Sequence, residues 1–217
     1  LVNSLAHRTT WLRSDFEGRM GDNNFWKVYG LGETGNIEGQ IFNNLEIKDF
    51  DKEKFEKYYN GIDWGFSNDP FAFIRSAIED DKLYITDEIY QTGLLNKDSI
   101  PLVKKIIGYE NVICDSSEPK SIAEYRNCGI RAIPAKKGKG SIESGIKFLQ
   151  SFSKIYIHPE CKNAQKEFYN YCFKKSFDGE ILSVPEDDNN HLIDAMRYSL
   201  ENIIGKDKIS VIKGIRI

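Results

Sequence analysis

The sequence predicts an α/β fold: one mixed sheet, with three antiparallel strands first, strand–helix alternation after them, and helices on both faces. Two observations predict it. Three strand-length runs, 58–65, 71–78 and 82–90, follow one another across short polar turns. From about residue 98 the pattern switches to helical segments alternating with short apolar runs, which suits parallel strands joined by crossover helices. The 217 residues suffice for one sizeable domain and are too few for two large ones.

Residues 1 to about 57 stand apart. An amphipathic stretch over 1–11 gives way to Gly21, Gly30, Gly32, Gly35 and Gly39 set among aromatic residues, a pattern unsuited to a long helix. A short helix and an extended, looping lead-in are expected there, with 51–57 a charged approach to a core domain over 58–217. The strand over 58–65 ends at the turn Ser67-Asn68-Asp69-Pro70, and Glu79-Asp80-Asp81 joins the next two strands as a hairpin. Asp98 is the expected cap of a helix over 99–107, with Pro101 near its first turn. Next come a strand over 111–115, a helix over 118–127 ended by Gly129, a strand over 131–134, a helix over 141–152, a strand over 154–157 and a helix over 159–171. Strands over 173–175 and 180–184 flank Asp178-Gly179, a short-range hairpin signal. The last helix is expected over 190–204, with Leu192, Ala195, Met196, Ser199 and Ile203 as its apolar stripe.

Lys and Arg number 30 against 33 Asp and Glu, a net charge of −3, so any basic surface must be local. Cys114, Cys128, Cys161 and Cys172 form no Cys-x-x-Cys pair and are expected as buried thiols rather than a zinc site. No stretch is apolar enough to cross a membrane. The first residues carry neither an initiator Met nor a signal pattern, and the expectation is a piece of a longer intracellular polypeptide.

Three acids carry the chemistry. Asp63 sits in Gly61-Ile62-Asp63-Trp64-Gly65 on the first core strand, Asp115 closes Val112-Ile113-Cys114, and Asp194 lies in His191-Leu192-Ile193-Asp194 on the last helix. Carboxylates far apart in sequence but at the tips of core elements can converge on divalent cations. Phosphodiester hydrolysis places charge on the attacking and leaving oxygens, and two cations roughly 4 Å apart stabilise both and ionise a water. Mg²⁺ and Mn²⁺ prefer oxygen ligands, and an imidazole at His191 shifts the choice slightly toward Mn²⁺. Alternation places Asp63 opposite Ile62 and Trp64, with Gly61 and Gly65 leaving room for a metal or phosphate. His191 and Asp194, three apart, share a helix face. Asp187 and Asp188 add acidity or favour the helix dipole. Glu88 is expected at the surface, and His7 and His158 as structural residues.

Lys136, Lys137 and Lys139 lie in a glycine-containing loop between a strand and a helix, where they can hold phosphates without reading sequence. Lys174 and Lys175, beside Asp178-Gly179, are a second basic group expected on the same side. Singly, each of these features has an ordinary alternative: a turn Asp, a solvated helix face, a solvated lysine loop. No intact phosphate-binding loop is present.

Taken in order, Gly61-Ile62-Asp63-Trp64-Gly65-Phe66, then Cys114-Asp115-Ser116, then Asp188-Asn189-Asn190-His191-Leu192-Ile193-Asp194-Ala195-Met196-Arg197-Tyr198 resemble the C-terminal nuclease domain of the large terminase subunit of tailed bacteriophages, a ribonuclease H-like fold. Tyr29-Gly30-Leu31-Gly32-Glu33 and Glu38-Gly39-Gln40-Ile41-Phe42 are similar to the segment that precedes that domain and joins it to a motor ATPase, which is absent from this chain. The resemblance implies an endonuclease, largely indifferent to sequence, that cuts concatemeric viral DNA in the cytoplasm of the infected host. It implies two divalent ions, Mn²⁺ or Mg²⁺, on Asp63, Asp115 and Asp194, with His191 auxiliary. It also implies double-stranded DNA, the small terminase subunit, the portal protein and the motor ATPase as partners. Other readings of the same acids are a junction resolvase or transposase-type nuclease, an actin-like or sugar-kinase ATPase, and a DNA-holding module without catalysis.

Overall fold

A computed structural model describes residues 38–204. The expected helix over 1–11, His7, the glycines at 21, 30, 32 and 35 and the 29–33 segment lie outside those residues. Seven strands form one mixed sheet: β1 (Leu45–Ile47), β2 (Tyr58–Asp63), β3 (Phe71–Glu79), β4 (Lys82–Gln91), β5 (Asn111–Cys114), β6 (Arg131–Pro134) and β7 (Lys154–Ile157), in the order β1-β7-β4-β3-β2-β5-β6. The β2–β3 and β3–β4 pairs are antiparallel, and the β2–β5, β5–β6, β4–β7 and β1–β7 pairs are parallel. This is the mixed sheet the sequence predicts.

β3, at the centre of the sheet, shows why the sheet is covered twice. Phe71, Ala72, Phe73 and Ile74 are all buried, and alternation sends them to opposite faces. Phe71 and Phe73 join the core under α1 (Asn96–Ile107) and α2 (Pro119–Asn127). Ala72 and Ile74 join the core under α3 (Ser141–Gln150), α4 (Lys162–Asn170) and α5 (His191–Leu200). A separate hairpin, β8 (Phe173–Lys175) with β9 (Ile181–Pro185), turns at Asp178-Gly179 as expected, with Gly179 at φ 84°.

Several boundaries differ from expectation, each for a local reason. β1 was not anticipated, and the core begins before residue 58: β1 adds an edge strand to β7, while Ile41 and Phe42 are buried against α4, Phe42 stacking on Phe168 and Tyr171. Three-residue strands carry too little period-two signal to read. α1 starts at Asn96 rather than Ser99; Leu95 occupies the cap and Asp98 sits inside the first turn, where its charge still favours the helix dipole. α5 ends at Leu200, and 201–204 tighten into turns in which Ile203 and Ile204 both donate to the Leu200 carbonyl. The stripe of Leu192, Ala195, Met196, Ser199 and Ile203 is buried as predicted. Cys114 and Cys161 are buried, but Cys172 is half-buried and Cys128 exposed. His158 is buried, with its ring edge-on to Phe50. Glu88 is not a surface residue: its carboxylate accepts from the Asn163 and Ala164 backbone N–H groups at 2.9 and 2.7 Å, capping α4.

Candidate active site

β2 and β5 run parallel side by side, so their carboxyl ends lie together, where open α/β sheets place their sites. Asp63 is the last residue of β2. Asp115 directly follows β5, and its N–H donates to the Ile62 carbonyl at 2.9 Å. α5 crosses the same face of β2 at very close range. A Cβ on Gly61 would stand 1.9 Å from the Ala195 carbonyl oxygen. Gly61 therefore makes room for the helix and not, as the sequence suggested, for a metal or phosphate. Gly65 serves its turn: a Cβ there would meet the Pro70 carbonyl oxygen at 2.3 Å. Because α5 sits directly on β2, His191 and Asp194 are lowered onto Asp63.

Each of the three acids is held by a different basic side chain. The Nδ1–H of His191 donates to Asp63 Oδ2 at 3.2 Å. Asp115 takes Lys137 Nζ at 2.5 Å and accepts from the Ser117 N–H and hydroxyl, both at 2.9 Å. Asp194 Oδ1 accepts from Arg197 at Nη2 (2.7 Å) and Nε (3.1 Å). Burial pushes the Asp63 carboxyl above its usual range; the His191 bond opposes this, and the charges of Asp194 and Asp115 add to the rise. Burial likewise raises Asp194 against the pull of Arg197, with Asp187 adding to the rise. Asp115 ends lower than usual: burial would raise it, but Lys137 and Ser117 outweigh that effect. His191 is raised, chiefly by its bond to Asp63. The acids thus feel one another's charge across a shared site.

Of the expected lysines, Lys137 lies at the acids. The Lys136 backbone N–H is fixed 2.6 Å from Glu201 Oε2, which ties the loop to the end of α5. Lys139 lines the same recess of about 230 Å³ as Lys137, Arg197 and Tyr198. Lys174 and Lys175 are on the exposed hairpin, where Lys175 pairs with Glu38 at 2.9 Å. Asp187 and Asp188 are exposed on the approach to α5.

Sequence reasoning passed over five site residues. Arg197 and Tyr198 follow Asp194 by three and four, a legible helix-face signal. Tyr198 is buried, which raises its hydroxyl, and the charges of Asp194, Asp115 and Asp63 add to the rise. Ser117, two beyond Asp115, is a common side-chain-to-backbone pattern. Asp69 Oδ1 stands 3.7 Å from His191 Nε2. Glu167 gave no signal: it reaches across from α4 to accept the Leu192 N–H at 2.7 Å, capping α5 from a neighbouring helix. Burial pushes its carboxyl up to about 7.

These shifts set a pH dependence. A carboxyl raised in the fold binds its proton more tightly there, so its contribution to stability is greatest in acid and is lost as pH rises toward the folded value. Glu167, Asp63 and Asp194 all act in this direction. His191, raised above 6.5, contributes below that value and loses its contribution as pH rises through the folded one, the same sign. Asp115 opposes, its contribution being present above 3.8 and lost on acidification. Without metal, Glu167 alone is expected to take away about 3 kcal/mol between pH 4.5 and about 7. Glu167→Gln should flatten that part of the profile in chelator melts; parallel profiles for the two proteins would remove Glu167 from this role.

Among the described residues, no three His, Cys, Asp or Glu side chains are closed together tightly enough to hold a metal as they stand. Lys137 occupies an oxygen of Asp115, and Arg197 an oxygen of Asp194. The donor set nevertheless fits divalent cations, being three carboxylates whose charges a cation relieves, with an imidazole beside them.

The chain from Asp63 to residue 202 matches the sequence profile of the terminase RNase H-like domain. The chain belongs to that family. The large terminase subunit of Bacillus phage SPP1 is 34% identical over 193 residues, covering 83% of this chain and 46% of that protein. The PBSX phage terminase large subunit of Bacillus subtilis (strain 168) is 29% identical over 148 residues, 67% of this chain and 34% of that protein. The chain thus spans less than half the length of the curated relatives it matches. The g2p nuclease domain of SPP1, solved with bound Mn, superimposes with a TM-score of 0.70 at 33% identity, over 75% of this chain and 98% of that one. The terminase family and its RNase H-like fold set aside the actin-like and sugar-kinase readings.

Proposed function

We propose that this terminase domain is a metal-dependent endonuclease that cuts concatemeric viral DNA during genome packaging, in the cytoplasm of the infected host, with little regard to sequence. The observation that carries the reading is the meeting of Asp63, Asp115 and Asp194 from two neighbouring strand tips and one helix. The Mn bound by the SPP1 nuclease domain supports it. Two divalent cations between these acids, Mn²⁺ or Mg²⁺, would neutralise charge on the phosphate and supply an ionised water.

The protein's own parts divide the remaining work. Asp63 ends β2, which pairs with the strand that leads to Asp115 and lies directly under the helix that carries Asp194, so it is the acid placed between its fellows. Ser117 keeps Asp115 oriented, and Arg197 holds one oxygen of Asp194 while leaving the other for a ligand. His191 Nδ1 sits against Asp63 and Nε2 faces Asp69, a position from which it takes or returns the proton of an attacking water. Lys136, Lys137 and Lys139 hold the backbone by charge, and Lys174 and Lys175 extend that contact along the hairpin. A motor ATPase on the same polypeptide, the small subunit and the portal are the partners this role requires, and residues 1 to about 57 include the connection to that motor.

Supercoiled plasmid tests the reading. Nicking and linearisation are expected with Mn²⁺, weaker with Mg²⁺, and none with chelator. Cleavage that persists in chelator would remove the metal from the mechanism, and a strong preference for branched DNA would favour a resolvase.

A further inference from the structure

Two cations sit on two of the metal-binding acids, but their surroundings differ. Arg197 is buried, with a side chain only 5% exposed, and is walled in by α3: a Cβ on Gly145 would stand 2.8 Å from its Cδ. Its contact with Asp194 spans three residues of one helix, so its guanidinium has nowhere to go. Lys137 is 44% exposed on a loop with Gly138 beside it, and nothing lies within 4 Å of the place a Gly138 Cβ would take. Its ammonium is a compact charge on a flexible stem, one contact from solvent.

Asp115 does not depend on Lys137 for its orientation. Ser117 donates to Oδ1 from its N–H and to Oδ2 from its hydroxyl, so the carboxylate stays aimed when the ammonium leaves. Lys137 instead occupies the space and satisfies the charge that a divalent ion would take. It also lies 5.6 Å from the centre of the Tyr198 ring.

We propose that Lys137 is a built-in competitor of the divalent cation at Asp115, occupying the carboxylate until the metal displaces it, whereas Arg197 is a permanent positioning residue for Asp194. The inference rests on the metal-dependent reading above and adds a restraint on how readily that site loads. The ion must both displace an ammonium and approach while that positive charge remains nearby. Removing the charge therefore strengthens loading, although lysine loops beside phosphates are ordinarily read only as DNA contacts.

Calorimetric titration of Mn²⁺ into the 217-residue chain, without DNA, tests this on the wild type, Lys137→Gln and Lys137→Arg. Lys137→Gln is expected to bind Mn²⁺ about three- to tenfold more tightly, the scale of one half-solvated charge near a divalent ion. Lys137→Arg keeps the charge and should stay near the wild-type affinity. Unchanged or weaker binding in Lys137→Gln overturns the proposal while leaving the nuclease reading in place. A wild type that takes up no Mn²⁺ overturns both. Melting curves of the metal-free variants, expected within a few degrees of one another, show that the comparison is between folded proteins.

Discussion

Asp63→Asn is expected to abolish plasmid cleavage, by roughly 10³-fold or more, and at the same time to leave the metal-free domain as stable as the wild type or more so. The first effect follows from losing the acid that faces both others: a metal-bound phosphate gains several kcal/mol of charge stabilisation, and each 1.36 kcal/mol is tenfold in rate. The second follows from the electrostatics. Burial and the charges of Asp194 and Asp115 hold the Asp63 carboxyl above its usual range, so the folded protein bears an ionised group that its surroundings disfavour. An amide removes that charge and still accepts from His191. Asp194→Asn should abolish cleavage equally but lower stability: burial raises the Asp194 carboxyl too, and the relief of that charge is outweighed by what Arg197 loses. It leaves the Arg197 guanidinium, 5% exposed, without its counter-charge, and uncompensated buried charges are strongly destabilising. Plasmid assays beside chelator melts separate the two. Cleavage by Asp63→Asn at a tenth of the wild-type rate or above would end the proposed role, and a large fall in its melting temperature would show a structural residue instead.

The contrast between those two acids also marks what could be read from the chain. The core elements were legible because their burial is periodic. β3 alternates between two cores, and the stripe of α5 faces one of them throughout. The positions of Asp63, Asp115, Asp194 and His191 in the fold were legible because each closes or follows a strand, or opens a helix, that the pattern defines. What escaped was non-local or short. Glu167 caps α5 from twenty-five residues away, a contact no window along the sequence contains. Glu88 reads as an outward strand residue, yet its carboxylate closes the start of α4. β1 is three residues long. The Lys137–Asp115 pair joins two loops that the sheet alone brings together, so the loop was read for DNA and its hold on the acid was not. Gly61 was noticed for the right property, the absence of a side chain, and assigned the wrong neighbour.

That neighbour makes Gly61→Ala the most damaging small substitution available in the site. The added methyl carbon would lie 1.9 Å from the Ala195 carbonyl oxygen, 2.7 Å from its carbon and 3.1 Å from Ser199 Cβ. Two of these are helix backbone and cannot swing aside, so α5 must lift from β2 by more than an ångström. Overpacking of this kind costs about 1–3 kcal/mol, and more when backbone must move. α5 also carries His191 and Asp194, so the same shift draws both away from Asp63. Misplacement by about 1 Å is worth roughly 10²-fold in rate, and the loss of cleavage should accordingly exceed what partial unfolding at the assay temperature explains. Gly138→Ala is the matched control: nothing lies within 4 Å of its added carbon, and neither melting temperature nor cleavage should change appreciably. Calorimetry with Mn²⁺ adds a readout independent of turnover, because an acid cluster pulled apart binds the ion more weakly even where the chain remains folded. Wild-type melting, metal affinity and cleavage in Gly61→Ala would mean that α5 does not rest on β2 at this distance, and the convergence of the three acids would lose the contact that enforces it.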